Sequence, residues 1–363
     1  MPKRLLFIIE SLGGGGAQNA LSKLISEFQN NNLKLTLLTF KSKKYDKFFL
    51  NKSVKRIILP KNNEVSSLIF RILNNIGFIF KLRKLLKKSQ YEVIFSFITA
   101  TNLLVIIASL GLKKKIVISE RNDIELQNLS IYKKLLRILF YRYASLVTSN
   151  IQNSLTAMEK YVKKNKLIFL PNPVSLPRNL KTKTDHRKKF ILSIGRLNKQ
   201  KGYDLLLDAF YEFIKIPSFE DWHLYILGEG PEKEYLDKII FNLNLAGSVH
   251  LKGYSDPIKY LKKASIYVQS SLFEGMPNSV LEAMTFKVPV ILNSQIRGIK
   301  YLAKDKFSCL YFENNKNDLC KKLFLLAKDF KVRKKLAENA FKSVQKFNKK
   351  DVAKIWLKNL KIL

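Results

Sequence analysis

The stretch Phe273-Glu274-Gly275-Met276-Pro277-Asn278-Ser279-Val280-Leu281-Glu282-Ala283-Met284 places two carboxylates eight positions apart across a loop-to-helix junction. Gly275 and Pro277 are turn residues, Asn278 or Ser279 suits an N-cap, and Val280, Leu281, Ala283 and Met284 form the buried side of a helix that begins there. Glu274 then stands in the loop before the helix and Glu282 on it. A helix start offers free backbone N–H groups and a positive dipole end, which suit a phosphate, while carboxylates suit hydroxyls. A ligand with sugar hydroxyls at both ends and phosphates between them satisfies all three features, and a nucleotide sugar is such a ligand.

The chain around this stretch has 363 residues, 47% of them apolar, enough for two domains with a core each. Its longest apolar run, the ten residues Leu103 to Leu112, falls well short of the roughly 20 that span a bilayer. The short run Leu5 to Ile9 leads into a glycine loop and reads as a first strand, not as a signal peptide. Two cysteines, Cys309 and Cys320, give neither a disulfide framework nor a metal spacing, so a reducing cytoplasm is expected. The formal charge of +38 suggests nucleic acid first, but the basic residues are dispersed, with no RNP-type motif, zinc spacing or basic tail. Residues 1–180 carry a net +22 and only 9 acids. A surface that meets anionic lipid head groups has this character, and so has the codon bias of an AT-rich genome.

Leu5 to Ile9, the quadruple glycine Gly13 to Gly16 and the apolar positions Ala17, Ala20, Leu21, Leu24, Ile25 and Phe28 spell strand, turn, helix. The turn is not G-x-G-x-x-G, and no acid closes the next strand, Leu33 to Phe40, which weakens a dehydrogenase reading. Further short apolar strands at Lys55 to Leu59, Val93 to Phe97, Ile116 to Ser119 and Leu146 to Ser149 complete a parallel, doubly wound sheet. Pro171, Pro173 and Pro177 and the polar run from Lys181 to Lys189 mark a linker. A second strand-helix alternation starts at Phe190 to Ile194, and the chain is helical from Asn317 onward.

In this setting the Phe273 to Met284 stretch resembles the E-x7-E motif of the retaining glycosyltransferases of family 4. Gly13 to Ala17, Ser193-Ile194-Gly195-Arg196-Leu197 with Lys201-Gly202, and Leu227-Gly228-Glu229-Gly230-Pro231 agree with it in order and spacing. The resemblance implies the α/β GT-B architecture: two Rossmann-like doubly wound domains facing across a cleft, the last helix crossing back to the first domain. The implied boundaries are 1–172 with 350–363 for an acceptor-binding domain and 173–349 for a nucleotide-sugar-binding domain, with Trp356 packing on the former.

Arg196 and Lys201 flank the turn after the second domain's first strand, where ligands of parallel sheets bind. Two cations there can grip a nucleotide diphosphate and stabilise the charge that grows on the leaving group, the role the resemblance gives them. It likewise implies that Glu274 contacts the donor sugar's hydroxyls and Glu282 the ribose. Asn278 and Ser279 open the helix at the phosphates, and Gly228 and Gly230 shape a tight turn beside the nucleotide. Gly15 and Gly16 let the backbone approach a phosphate or acceptor.

Val117-Ile118-Ser119-Glu120-Arg121-Asn122-Asp123 resembles the S-E-R-N-D stretch of bacterial transferases that build capsule, O-antigen or lipid-linked oligosaccharides. Glu120, Arg121 and Asn122 are candidates for acceptor binding, or else members of a self-satisfied salt-bridged loop. No D-x-D motif is present, so neither metal nor cofactor is expected. The expectation is a cytoplasmic, metal-independent, retaining transferase that moves a sugar from a nucleotide-diphosphate donor, a UDP-sugar, to a lipid-linked glycan. It would sit peripherally at the inner membrane face through the apolar and basic segments Leu68 to Lys88 or Ile131 to Tyr143, which read equally as core helices. A nucleotide-sugar 2-epimerase of like fold, or a basic nucleic-acid-binding protein, are the alternatives.

Overall fold

A computed structural model describes residues 2–61, 68–177 and 187–361; residues 181–186 of the expected linker lie outside it, as do the side chains of 68–71. In chain order the elements are β1 (Arg4–Ile9), α1 (Gly16–Phe28), β2 (Lys34–Thr39), β3 (Lys55–Ile58), α2 (Leu68–Lys88), β4 (Val93–Phe97), α3 (Thr99–Ser109), β5 (Lys115–Glu120), α4 (Ile131–Phe140), β6 (Leu146–Ser149), α5 (Gln152–Met158) and β7 (Leu167–Phe169). They continue with β8 (Lys188–Ile194), α6 (Tyr203–Ile214), β9 (His223–Leu227), α7 (Lys233–Asn242), β10 (Val249–Leu251), α8 (Pro257–Leu261), β11 (Ala264–Gln269), α9 (Asn278–Thr285), β12 (Val290–Asn293), β13 (Leu310–Phe312), α10 (Lys316–Lys328), α11 (Phe330–Val344) and α12 (Lys349–Asn359). Two compact units result, Met1–Pro173 with Lys349–Leu363, and Val174–Asn348.

Each unit is built on one parallel sheet, ordered β3-β2-β1-β4-β5-β6-β7 in the first and β10-β9-β8-β11-β12-β13 in the second. Parallel strands covered on both faces must be apolar throughout, and Leu5 to Ile9 is buried at every position. The strand order reverses beside β1 in the first sheet and beside β8 in the second. At such a switch point the loops leaving two neighbouring strands diverge to opposite faces and open a crevice at the carboxyl ends. Gly13 to Gly16 follows β1 at one switch point, and Gly195 to Lys201 follows β8 at the other.

The last helix belongs to the first unit. Trp356 is fully buried there, its ring stacked with Phe97 at a centroid distance of 6.1 Å and its indole N–H donating to the Pro171 carbonyl at 3.4 Å. Lys349 Nζ pairs with Glu27 of α1 at 2.6 Å. Among the described residues no helix is long and apolar enough to cross a membrane.

Candidate active site

In the second unit the loops leaving β8 and β11 meet at the switch point. Lys201 Nζ lies 2.5 Å from Glu274 Oε1, and the two side chains are only 15% and 14% exposed. The backbone is tied as well: Gln200 Nε2 donates to the Phe273 carbonyl and Leu272 N–H to the Gln200 carbonyl, both at 2.8 Å. Gly195 leaves the room that the lysine stem needs, since a Cβ there would fall 2.6 Å from Lys201 Cε. Arg196 is exposed at the start of the same loop, and its side chain makes no ion pair among the described residues.

Glu274 is further held by a relay that starts on β11. Tyr267 OH and Ser279 Oγ donate to Gln269 Oε1 at 2.7 and 3.1 Å, Gln269 Nε2 donates to Ser271 Oγ at 2.6 Å, and Ser271 Oγ donates to Glu274 Oε1 at 3.0 Å. A carboxylate held by both a cation and a hydroxyl keeps one orientation, which pre-organises it for hydroxyl recognition. The expected N-cap is corrected here. Pro277 occupies that position and no side chain caps α9; Asn278 is the first helical residue, and Ser279 spends its hydroxyl on Gln269. The proline fixes the backbone at the helix entrance without help from a cap. Glu282 lies in the second turn of α9, and burial, with the charges of Glu282 and Asp256, raises the pKa of the Tyr254 phenol in the loop after β10.

Gly228 and Gly230 lie where the loop after β9 touches the loop after β8. A Cβ would fall 2.0 Å from the Gly195 carbonyl oxygen at Gly228, whose φ is 145°, and 2.1 Å from the Leu197 carbonyl oxygen at Gly230. Both therefore permit backbone contact under the Arg196 loop. The sequence reading missed Gly298, where a Cβ would fall 1.9 Å from the Gly275 carbonyl oxygen. It also missed Gln269 and Ser271, although a polar Q-S-S run at the end of a buried strand was a signal to question.

The comparisons with known proteins bear on this constellation. Residues 179–343, which include the whole site just described, match the model of the family "Glycosyl transferases group 1". The chain is a glycosyltransferase. Over 98% of its length it is 27% identical to a Campylobacter jejuni α-1,4-N-acetyl-D-galactosaminyltransferase named for a diphospho-undecaprenol-linked glycan, covering 97% of that protein. A second C. jejuni 4-α-N-acetylgalactosaminyltransferase, also named for a diphospho-undecaprenol substrate, is 28% identical, with 99% of each chain covered. Among solved structures, Anabaena HepE in complex with UDP superposes with a TM-score of 0.80 at 17% identity, covering 99% of this chain and 100% of that one. The fold is that of the GT-B glycosyltransferases.

In the transferase's first unit, Gly15 is the N-cap of α1 and Gly16 its first residue; both are exposed, and neither a side-chain cap nor an acid in the first turn competes for the amino end. The Glu120 to Asn122 segment is tied inward. Glu120 is buried, its Oε1 accepting from Tyr141 OH and Asn102 Nδ2 and its Oε2 from Thr99 Oγ1. Burial raises the Glu120 pKa, against the pull of these donors and of Arg137. Arg121 donates from Nη1 to the Leu170 carbonyl and to Asn172 Oδ1, each at 3.0 Å, and its guanidinium lies 4.8 Å from the centre of the Trp356 ring. Asn122 is half-buried and accepts from the Asp123 backbone N–H at 3.0 Å.

Proposed function

We propose that this glycosyltransferase moves a sugar from a UDP-sugar to a glycan carried on a lipid diphosphate, with retention at the anomeric carbon and without a metal ion. The Lys201–Glu274 pair beside the uncapped amino end of α9 carries the reading. One side chain meets the diphosphate and the other the transferred sugar, at the point where the bond between them breaks. As that bond breaks, Lys201 and Arg196 stabilise the charge gathering on the departing UDP. Glu274 holds sugar hydroxyls while the ring passes through an oxocarbenium-like state. Glu282 takes the ribose, the amino end of α9 at Asn278 and Ser279 receives phosphate, and Gly228 and Gly230 shape the pocket through backbone contact.

The C. jejuni relatives, named for diphospho-undecaprenol substrates, and HepE, solved with UDP, support this choice of acceptor and donor; none of the comparisons favours the epimerase or nucleic-acid readings. On the acceptor side, Gly15, Gly16 and Asn122 contact the acceptor, while Glu120 and Arg121 hold the segment from behind.

Calorimetry with UDP tests the assignment. Glu282→Gln is expected to weaken UDP binding about tenfold, the loss of a charged hydrogen bond, while Glu274→Gln keeps UDP affinity and loses transfer. Equal UDP affinities in the two variants overturn the roles.

A lipid-linked acceptor stays at the membrane, so the enzyme must come to it. α4 is the docking element in this reading because it is turned inside out: Ile131 is 78% and Leu135 54% exposed, with Tyr132, Ile138 and Leu139 also outward, while Arg137 is buried and donates to the Ile124 carbonyl at 3.2 Å. Lys133, Lys134 and Arg142 flank this apolar surface, and each cation near an anionic surface contributes about 1 kcal/mol. α2 differs in burying Phe78, Leu82 and Leu86 on its inner side, while Ile72, Leu73, Ile76 and Phe80 on its outer side are exposed and can join α4 in the apolar surface. The protein is expected to sediment with phosphatidylglycerol vesicles at low salt and not with phosphatidylcholine vesicles, and Ile131→Asp with Leu135→Asp to release it. Wild-type protein that stays in the supernatant with the anionic vesicles disproves docking.

A further inference from the structure

At the amino-terminal edge of the first sheet, the end away from Gly13 to Gly16, lies a cavity of about 710 Å³ that the transfer reaction does not use. Arg4, Lys34 and Lys55, the first residues of β1, β2 and β3, line it together with Lys88, the last residue of α2. Register explains why they meet. Arg4 pairs with Lys34, and Lys55 pairs with Thr36, two positions beyond Lys34. Residues two apart on a strand share a face, so three adjacent strands each present a cation on one face of the sheet. α2 covers the same face further in, through Leu82 and Leu86 against Leu6 and Leu38, and Lys88 follows where the helix reaches the edge.

No Asp or Glu lines this cavity. Glu92 is close by, but its Oε1 accepts from the Arg4 backbone N–H at 3.2 Å, and the Arg4 guanidinium donates to Gln90 Oε1. Lys34, Lys55 and Lys88 form no ion pair among the described residues. Like charges facing each other across a ladder destabilise a sheet, and a polyvalent anion between them reverses the sign of that interaction. Strands lie about 4.8 Å apart, so cations on successive strands match a ligand with successive charged groups better than a single carboxylate. Gln29, Ser53, Ser89 and Gln90 add amide and hydroxyl groups to the lining.

We propose that this cavity is a second anion site, taking a ligand with two or more phosphate groups. The phosphates belong either to a soluble oligophosphate or to lipid head groups, and the chemistry of recognition is the same. Lys34→Gln/Lys55→Gln/Lys88→Gln changes only exposed side chains and leaves the Lys201–Glu274 region untouched, so the melting temperature should equal or exceed that of the wild type and UDP affinity should match it. Titration of inorganic pyrophosphate in saturating UDP is expected to show an affinity at least tenfold lower for the triple variant, restored when the three positions carry Arg. A parallel sedimentation with phosphatidylglycerol vesicles distinguishes the sources: a variant that loses vesicle binding and keeps pyrophosphate affinity assigns the site to lipid phosphates. Equal pyrophosphate affinity together with equal vesicle binding in the wild type and the triple variant overturns the proposal.

Discussion

Lys201→Ala is expected to lower turnover on the order of 10²–10³-fold with the fold intact, Arg196→Ala to follow it, and EDTA to leave the rate unchanged. The lysine is asked for two things. In the proposed mechanism it faces the charge that appears on the leaving diphosphate, an interaction strongest in the transition state and therefore seen in kcat rather than KM. It also fixes Glu274, at 2.5 Å in a largely buried setting, so its removal strands a carboxylate where water reaches it poorly. Arg196 has no such second duty, and its loss is expected to be the smaller. Steady-state kinetics on variants whose circular dichroism matches the wild type decide the matter. Full activity in Lys201→Ala, or abolition of activity by EDTA, removes the basis for the mechanism.

Trp356→Ala is expected to cost about 3–5 kcal/mol of stability, the range for deleting a large buried aromatic side chain. The ring fills the space between Phe97 and the chain at Pro171 and lies over the Arg121 guanidinium. Without it that cation, whose Nε and Nη2 are buried with no hydrogen-bond partner among the described residues, loses the π face it rests on. Denaturant unfolding measures the loss, and Trp356→Phe should recover most of it. An unchanged unfolding midpoint in Trp356→Ala would contradict this account of the last helix.

Much of this was legible in the sequence because its signals are local. A buried apolar run ending in four glycines and followed by a helical repeat specifies β1, its turn and α1 with no knowledge of the rest of the chain. The Phe273 to Met284 stretch likewise carries its own loop, proline and helix. What was not legible depends on pairs remote in the chain. Nothing near Arg121 says that an indole from the last helix will cover it, and nothing near Gly298 says that Gly275 will press against it. The basic cavity is of the same kind: Arg4, Lys34 and Lys55 are unremarkable among so many lysines and arginines until register sets them side by side. The outward face of α4 escaped the helical pattern for another reason, since its composition is that of a core helix and only the burial of Arg137 shows which side faces in.

The return of Lys349–Leu363 to the first unit also bears on synthesis. The second unit is one uninterrupted stretch, Val174–Asn348, and all of it is available to close before the final helix is made. The first unit's main stretch emerges from the ribosome before the second unit, yet the faces of Phe97 and Pro171 that receive Trp356 stay open to water until Lys349–Asn359 has been made. The half of the protein translated first is therefore the half finished last, and through most of translation it carries an uncovered apolar surface.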